Sequence, residues 1–494
     1  MATPAASQSR TVPHSHISSG RGSAELRRLA QQVLARAGGA PLVAGNAVRI
    51  LRDAGENYPA WLEAIAKARH SVLFENYIIA NDATGREFVA ALAERARAGV
   101  AVRLIYDWMG AIGVATRSVL QPLIDAGGIV RCFNRPRFDS PFGWLTRDHR
   151  KMVAVDGIVG YVTGLCVSSK WLGNPDRGVA PWRDTGIEIR GPAVADIERA
   201  FAQAWAAAGE GALDIATGEG DVAHVGDVLL RVLASQPNFS GLYRLDQMIA
   251  AMARETLWLT DAYFVGIAPY VQALRAAARD GVDVRLLVPG TSDLPLLGRL
   301  SRAGYRPLLE AGIRVFEWNG AMLHAKTAVA DGRWARVGST NLNIASWINN
   351  YELDVAIEDA GCARCMQDTY EEDLRNSTEI VLGARHAVRQ SSPVARRAAG
   401  SGGRAARAAA GALRIGNTVG AAFSNRRMLG PAEAGMMFSI ALGFLAFAVV
   451  VMFVPLAVTV PLALLALWIG VTLLVRAWRI RTGGVEDAQA ADGD

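Results

Sequence analysis

Residues Phe88–Asp107, FVAALAERARAGVAVRLIYD, align without a gap on Tyr270–Pro289, YVQALRAAARDGVDVRLLVP, and about half of the positions are identical. Each stretch reads as an amphipathic helix, a glycine stop and a buried strand, the rhythm of a βαβ unit. The next segments also correspond, PLIDAGGIV (Pro122–Val130) with PLLEAGIRV (Pro307–Val315). A period of nearly two hundred residues is a duplicated domain and not a solenoid unit. The chain is therefore expected to be α/β, with two similar halves about a pseudo-twofold axis that brings equivalent loops together.

Each repeat leads into the same polar signature. The second half carries LHAKTAVADGRWARVGSTN (Leu323–Asn341), with His324, Lys326 and Asp331; the first carries DHRKMVAVDGIVGYVTGLC (Asp148–Cys166), with His149, Lys151 and Asp156. A lone histidine or lysine is usually a solvated or hydrogen-bonded residue. Two copies at matched positions point instead to one bipartite phosphate site. The remaining histidines, His14, His16, His70, His224 and His386, have no such company.

Phosphodiester exchange needs a nucleophile for phosphorus, an acid for the leaving oxygen and positive charge around the non-bridging oxygens. Two imidazoles and two ammonium groups supply all three without a metal. A strand of form His-x-Lys puts both side chains on one face. Ser339 and Asn341, again two apart, are candidate phosphate donors, with Gly338 allowing close approach of the backbone. Asp184 in WRDTG and Glu352 in NYELD occupy corresponding places after the two signatures. Each is a candidate to orient a histidine through its second ring nitrogen, or to pair with Arg183 or another cation. Asp156 and Asp331 stand in the candidate catalytic set by position, although bracing turns is their expected role.

The ends of the chain differ in composition. Residues 1–40 begin with a polar stretch lacking the apolar core of a secretory signal, and from Ala24 to Ala37 show helical amphipathicity, read as a surface helix. Further on, Glu75 stands inside a buried β run, Ser71–Ile79, where a carboxylate needs a partner. Four cysteines are too few for a disulfide scaffold, and Cys362-Ala-Arg-Cys365 has no second pair with which to bind zinc. Lys plus Arg 52 against Asp plus Glu 46 gives a formal charge of +6, which favours anionic partners.

The expected organisation is a disordered or amphipathic segment at 1–40, halves at 41–215 and 216–382, a basic linker at 383–433 and an acidic tail at 479–494. Between linker and tail, 434–478 reads as a transmembrane hairpin. Ala434 to Val475 holds no Asp, Glu, Lys or Arg, which is long enough for two spans at roughly 20 residues each, with Pro455 and Pro461 marking the break. Arg426 and Arg427 before it and Arg476, Arg479 and Arg481 after it place both flanks in the cytoplasm by the positive-inside rule. The two halves then face the cytoplasmic leaflet.

With two His-x-Lys-x4-Asp motifs, a Gly-Ser-x-Asn element after the second, and the segments FENYI, TDAYF and PWRDTG, the chain resembles the phospholipase D superfamily and is most similar to its bacterial cardiolipin synthase branch. The likeness runs from about Val48 through Ile357. It implies paired α/β/α domains, one active site at their interface, a phosphohistidine intermediate and no cofactor. It also implies His149 as nucleophile, His324 as general acid and base, and Lys151, Lys326, Ser339 and Asn341 as phosphate ligands. The first motif departs from the pattern: Thr163-Gly164-Leu165-Cys166 stands where Gly-Gly-x-Asn is common, and Ser168 is a candidate replacement for the missing Asn. The implied activity is phosphatidyl transfer to phosphatidylglycerol in a membrane, with anionic phospholipid as partner and nucleic acid not expected. Hydrolysis by a phospholipase D, nuclease action and a non-catalytic membrane scaffold are the alternatives, and the oligomeric state is open.

Overall fold

The computed structural model describes residues 19–112, 116–136, 145–209, 211, 213, 223–237, 239, 241–382, 442, 445, 459–472 and 474. The basic linker, the acidic tail and most of the expected hairpin lie outside them, as does the start of the N-terminal segment.

Helix α1 (Ser19–Gly38) is followed by β1 (Val43–Arg52), α2 (Asp53–Lys67), β2 (Ser71–Asn76), α3 (Ala83–Arg97), β3 (Ala101–Asp107), α4 (Thr116–Asp125) and β4 (Ile129–Phe133). The first half closes with the hairpin β5 (Met152–Val155) and β6 (Val159–Thr163), the short α5 (Ser169–Leu172), β7 (Thr185–Arg190) and α6 (Val194–Ala208). The second half repeats the plan with β8 (Val228–Ser235), α7 (Gly241–Met252), β9 (Thr256–Thr260), α8 (Ala268–Arg279) and β10 (Asp283–Pro289). It continues through α9 (Pro295–Ala303), α10 (Arg306–Leu309), β11 (Arg314–Trp318), β12 (Thr327–Ala330), β13 (Trp334–Gly338), β14 (Glu352–Ile357), α11 (Ala360–Arg375) and β15 (Ser377–Ile380).

The described strands form one mixed sheet in the order β15-β11-β10-β9-β12-β13-β14-β8-β1-β7-β6-β5-β2-β3-β4. Read outward from the antiparallel β8/β1 junction, the two arms have the same order, with β15 added at one edge. That palindrome is the topological mark of the duplication. Each arm mixes parallel pairs (β2/β3 and β9/β10) with antiparallel ones (β5/β6 and β12/β13).

Each half has its own apolar core. Trp61, Phe74, Phe88 and Leu104 fill the first, while Leu245, Leu259, Leu274 and Leu286 fill the second. A third cluster joins the halves, since Val162 and Ile187 of one arm pack with Val337 and Val355 of the other. Burial of so many aliphatic side chains makes the interface part of the fold.

Helix α1 lies against the second half and keeps Leu29 and Val33 exposed. Leu34 is buried with Leu233, Leu242 and Leu245, and Gln31 Nε2 donates to Glu358 Oε2 at 2.5 Å. The helix thus packs on the second half, although the first follows it in sequence. At the other end, residues 459–472 form a helix that exposes Val460, Leu462, Leu464 and Leu467. Among the described residues, no helix is long and apolar enough to cross a membrane.

Candidate active site

Neither His-x-Lys element lies inside a strand. His149 and Lys151 form the extended approach to β5, and His324 and Lys326 the approach to β12. Each approach is stitched to the opposite half: His149 N donates to Tyr351 O at 2.9 Å, and His324 N to Arg183 O at 2.7 Å. Tyr351 N and Arg183 N return bonds to Arg147 O and Met322 O, both at 2.8 Å. The result is two short parallel bridges, Asp148 with Tyr351 and Arg183 with Leu323.

Those bridges set the residue after each one, Asp184 or Glu352, against the histidine of the other half. Asp184 Oδ2 lies 2.8 Å from His324 Nδ1, and Glu352 Oε2 lies 2.9 Å from His149 Nδ1. With Nδ1–H donating to carboxylate, Nε2 of each ring carries the lone pair, which at His324 faces the Lys326 ammonium at 3.1 Å. Arg183 does not pair with the Asp184 carboxylate; its guanidinium pairs instead with Asp373 and Asp53. The carboxylate that orients each histidine is therefore supplied from across the interface.

The lysines are buried beside the imidazoles. Lys326 Nζ is 3.0 Å from His324 Nδ1 and 3.1 Å from Nε2, and it also bonds the backbone oxygen of His324. Lys151 Nζ bonds the backbone oxygen of His149 and lies 5.2 Å from the Tyr77 ring centroid. Burial pushes the His324 pKa down to about 3, with Lys326 adding to the effect. Burial lowers His149 as well, against the pull of Glu352. It also brings Lys326 down to about 8, with the second ammonium, Lys151, acting the same way. Both carboxyls are held below their ordinary range. Burial alone would raise them, and the histidines and lysines around them more than reverse it. The site thus sets two ammonium groups beside two neutral imidazoles, each imidazole backed by an ionised carboxylate, a setting suited to an anionic phosphodiester.

The other candidates separate. Ser339 lies at the site, but its hydroxyl donates to Glu352 Oε2 at 2.6 Å, so it steadies the carboxylate. Asn341 is buried and its Oδ1 has no hydrogen-bond partner. Gly338 makes room for Asp354, since a Cβ there would sit 2.3 Å from Asp354 Oδ1; the space serves the fold and not a ligand. Ser168 does not replace the missing Asn: its hydroxyl donates to Asp82 Oδ2 at 2.9 Å and caps α5. Cys166, at the position matching Asn341, is buried, and burial pushes its thiol up.

Asp156 and Asp331 sit at the far ends of β5 and β12, roughly 17 Å along the strand from the lysines at about 3.3 Å per residue. Their carboxylates accept from the backbone of Arg69, His70 and Ser71 and of Arg254, Glu255 and Thr256. Their left-handed φ values, 55° and 50°, belong to tight turns. This removes both from the catalytic set and makes them turn braces. Glu75 is buried and its two carboxylate oxygens have no hydrogen-bond partner; burial and the neighbouring Asp148 carboxyl push its pKa well up.

Four aromatic residues at the site escaped the reading of the sequence as functional positions. Tyr77 contacts the His149 ring at 5.2 Å between centroids, and Tyr263 contacts His324 at 5.8 Å. Their signal was present, because both belong to the paired FENYI and TDAYF segments. Trp171 and Trp182 pack on His324 at 5.2 and 5.8 Å, and neither has a repeat partner that would have marked it. Among the described residues, no group of three or more His, Cys, Asp or Glu is placed to hold a metal ion.

Comparison with known proteins agrees with this geometry. Residues 61–205 and 246–374 match the family described as "Cardiolipin synthase, PLD-like domain". The chain is 33% identical over 359 residues to cardiolipin synthase A of Pseudomonas fluorescens, covering 71% of this chain and 73% of that one. It is 31% identical over 345 residues to cardiolipin synthase 2 of Bacillus anthracis, covering 68% of this chain and 66% of that one. Among solved structures, the phosphatidylserine synthase of Haemophilus influenzae superposes with a TM-score of 0.56 at 15% identity, covering 72% of this chain and 91% of that one, a likeness of fold. With two family matches that each carry one His-x-Lys element, joined into a single crossed site, the chain belongs to the cardiolipin synthase family of phospholipase D-like proteins.

Proposed function

We propose that this chain is a membrane-anchored phosphatidyltransferase that condenses two molecules of phosphatidylglycerol into cardiolipin and glycerol. The observation that carries the reading is the crossed pair of imidazole–carboxylate contacts, His149 with Glu352 and His324 with Asp184, set beside two buried lysines in a member of this family.

In the first step His149 Nε2 attacks phosphorus, a phosphatidyl–histidine bond forms, and the P–O bond to glycerol breaks. His324 gives its proton to the departing alkoxide. In the second step His324 takes the proton from the hydroxyl of the second phosphatidylglycerol, whose oxygen attacks phosphorus and releases His149. The single negative charge of the bound phosphodiester offsets part of the two ammonium charges and so raises the proton affinity of His324. Lys151, Lys326 and Asn341 hold the non-bridging oxygens, and Ser339 acts through Glu352.

The alternative at the same intermediate is hydrolysis by water. The aromatic walls supplied by Tyr77, Tyr263, Trp171 and Trp182 favour transfer by limiting water around the intermediate. Residues 434–478 are the proposed membrane hairpin, supported by the absence of charge from Ala434 to Val475 and by the exposed leucines of the 459–472 helix. The arginines that flank this stretch support a cytoplasmic position for the catalytic halves at the inner membrane.

The purified full-length protein, supplied with phosphatidylglycerol vesicles, is expected to release glycerol and form cardiolipin. Phosphatidic acid as the only product would make the protein a hydrolase. No turnover of any lipid would favour a scaffold.

A further inference from the structure

The two orienting carboxylates are held in different ways. Strand registers match Thr163, opposite Gly186, with Gly338, opposite Asp354, so Gly164 occupies the place of Ser339. On the second-half side, the Ser339 hydroxyl donates to Glu352 Oε2 at 2.6 Å, and Asn350 Nδ2 adds a bond to Oε1 at 3.1 Å. On the first-half side no hydroxyl fits. A Cβ on Gly164 would lie 2.3 Å from Asp184 Oδ1, because aspartate, one methylene shorter than glutamate, holds its carboxylate close to that backbone.

The missing donor comes from elsewhere. Trp171 Nε1 donates at 2.9 Å to Asp184 Oδ2, the same oxygen that faces His324 Nδ1, while Thr185 N donates to Oδ1 at 2.8 Å. Trp171 is 3% exposed. Its ring meets His324 edge-on at 88° and lies 4.6 Å from the Trp182 ring centroid. The short α5 that presents it is fixed by Asp82, which accepts from Ser168 Oγ and from Ser169 N at 2.7 Å.

We infer that Trp171 is a positioning residue for His324, its indole N–H holding the Asp184 carboxylate as the Ser339 hydroxyl holds that of Glu352. The inference rests on the proposed phosphodiester chemistry at this site. With the indole in place, Oδ2 is fixed where it receives Nδ1–H, and Nε2 is turned toward phosphorus. A phenylalanine at this position preserves the ring but removes the donor, so the carboxylate can rotate and the histidine loses its single tautomer.

The test compares full-length wild type, Trp171→Phe and Trp171→His on phosphatidylglycerol vesicles across pH. Trp171→Phe is expected to lower kcat by about 10- to 100-fold, the usual cost of a lost orienting contact, with KM within about twofold. The acid limb of its pH profile moves to higher pH, because Asp184 has lost a donor to its ionised form. Trp171→His, which keeps a ring N–H, recovers part of kcat and moves the limb back. Wild-type kcat and pH profile in Trp171→Phe would overturn the inference. So would a loss of kcat with an unmoved pH profile that Trp171→His shares, since packing alone would then explain it. If Trp171→Phe does not fold, 15N-indole spectra of the wild type decide: one exchange-protected N–H must move on Asp184→Asn, and its absence overturns the assignment. Wild type that releases phosphatidic acid instead of cardiolipin defeats the transferase reading, while the Trp171 comparison proceeds on that product.

Discussion

His324 and Asp184 lie 140 residues apart in sequence, on opposite halves of the duplication, yet Nδ1 and Oδ2 are 2.8 Å apart. The reciprocal contact, His149 with Glu352, spans 203 residues. Neither half holds a complete imidazole–carboxylate pair, so the duplication is obligatory for the site. The backbone bridges at Arg183 and Tyr351 are what make the exchange geometrically necessary.

Conservative removal of either carboxylate charge follows directly. Asp184→Asn and Glu352→Gln keep the shape of the side chain but offer an amide that can favour the wrong imidazole tautomer. Each is expected to reduce kcat by on the order of 100-fold or more with little change in KM, measured as cardiolipin formed from phosphatidylglycerol. Wild-type turnover in either variant would show that the crossed contacts do not orient the histidines.

Lys326 sets an alkaline limit and a stability cost. Its pKa falls from an ordinary 10.5 to about 8, mainly through burial, so kcat/KM should decline as the pH rises through about 8 and the ammonium is lost. Stability moves in the opposite sense. Between pH 8 and 10.5 the unfolded chain binds more protons at this residue than the folded one, so folding becomes more favourable as pH rises there. The full span corresponds to roughly 3 kcal/mol withheld at neutral pH. Lys326→Met should therefore abolish turnover while raising the thermal midpoint at pH 7; a lower midpoint would show that the ammonium stabilises the fold.

Asp156 and Asp331 give a contrasting outcome. Alanine at either position leaves backbone N–H groups at the start of β2 or β9 without their acceptor and puts a β-carbon residue without a polar side chain at a left-handed φ. The expected loss is about 1–3 kcal/mol of stability. Because both turns lie at the strand ends away from the lysines, kcat per folded molecule should stay near wild type. Active-site titration alongside thermal unfolding separates the two effects, and a large fall in kcat would return these residues to the catalytic set.

Much of this arrangement is readable from residue patterns, for particular reasons. The duplication leaves paired helix–strand segments at Phe88 and Tyr270, and the periodicity of the buried faces identifies their elements. The His-x-Lys pairs are visible because repetition lifts them above chance. What one dimension does not carry is which half faces which. Asp184 could be matched with Glu352 by position, but their exchange of histidines depends on the bridges to Met322 and Arg147. Helix α1 shows the same limit, because its amphipathicity marks a buried face without naming the surface that receives it. Trp171 is hidden for another reason, as the donor that holds the corresponding carboxylate in the second half is the Ser339 hydroxyl, at a position that does not match Trp171 in the repeat.

The boundary after β15 supports one more prediction. The sheet ends at Ile380, and every residue assigned to the site precedes it, from Tyr77 through Glu352. The uncharged stretch from Ala434 to Val475 contributes none of them. Ending the chain at residue 433 should therefore leave turnover of phosphatidylglycerol in detergent micelles within a few-fold of the full-length protein. Sedimentation with vesicles in high salt should fall sharply, because salt weakens the attraction of the remaining arginines for anionic lipid, whereas an inserted hairpin is held by apolar burial that salt does not weaken. If the shortened chain still pelleted with membranes in high salt, the anchor would have to lie within the catalytic halves. If it lost turnover in micelles while keeping its thermal midpoint, the hairpin would contribute to the site itself.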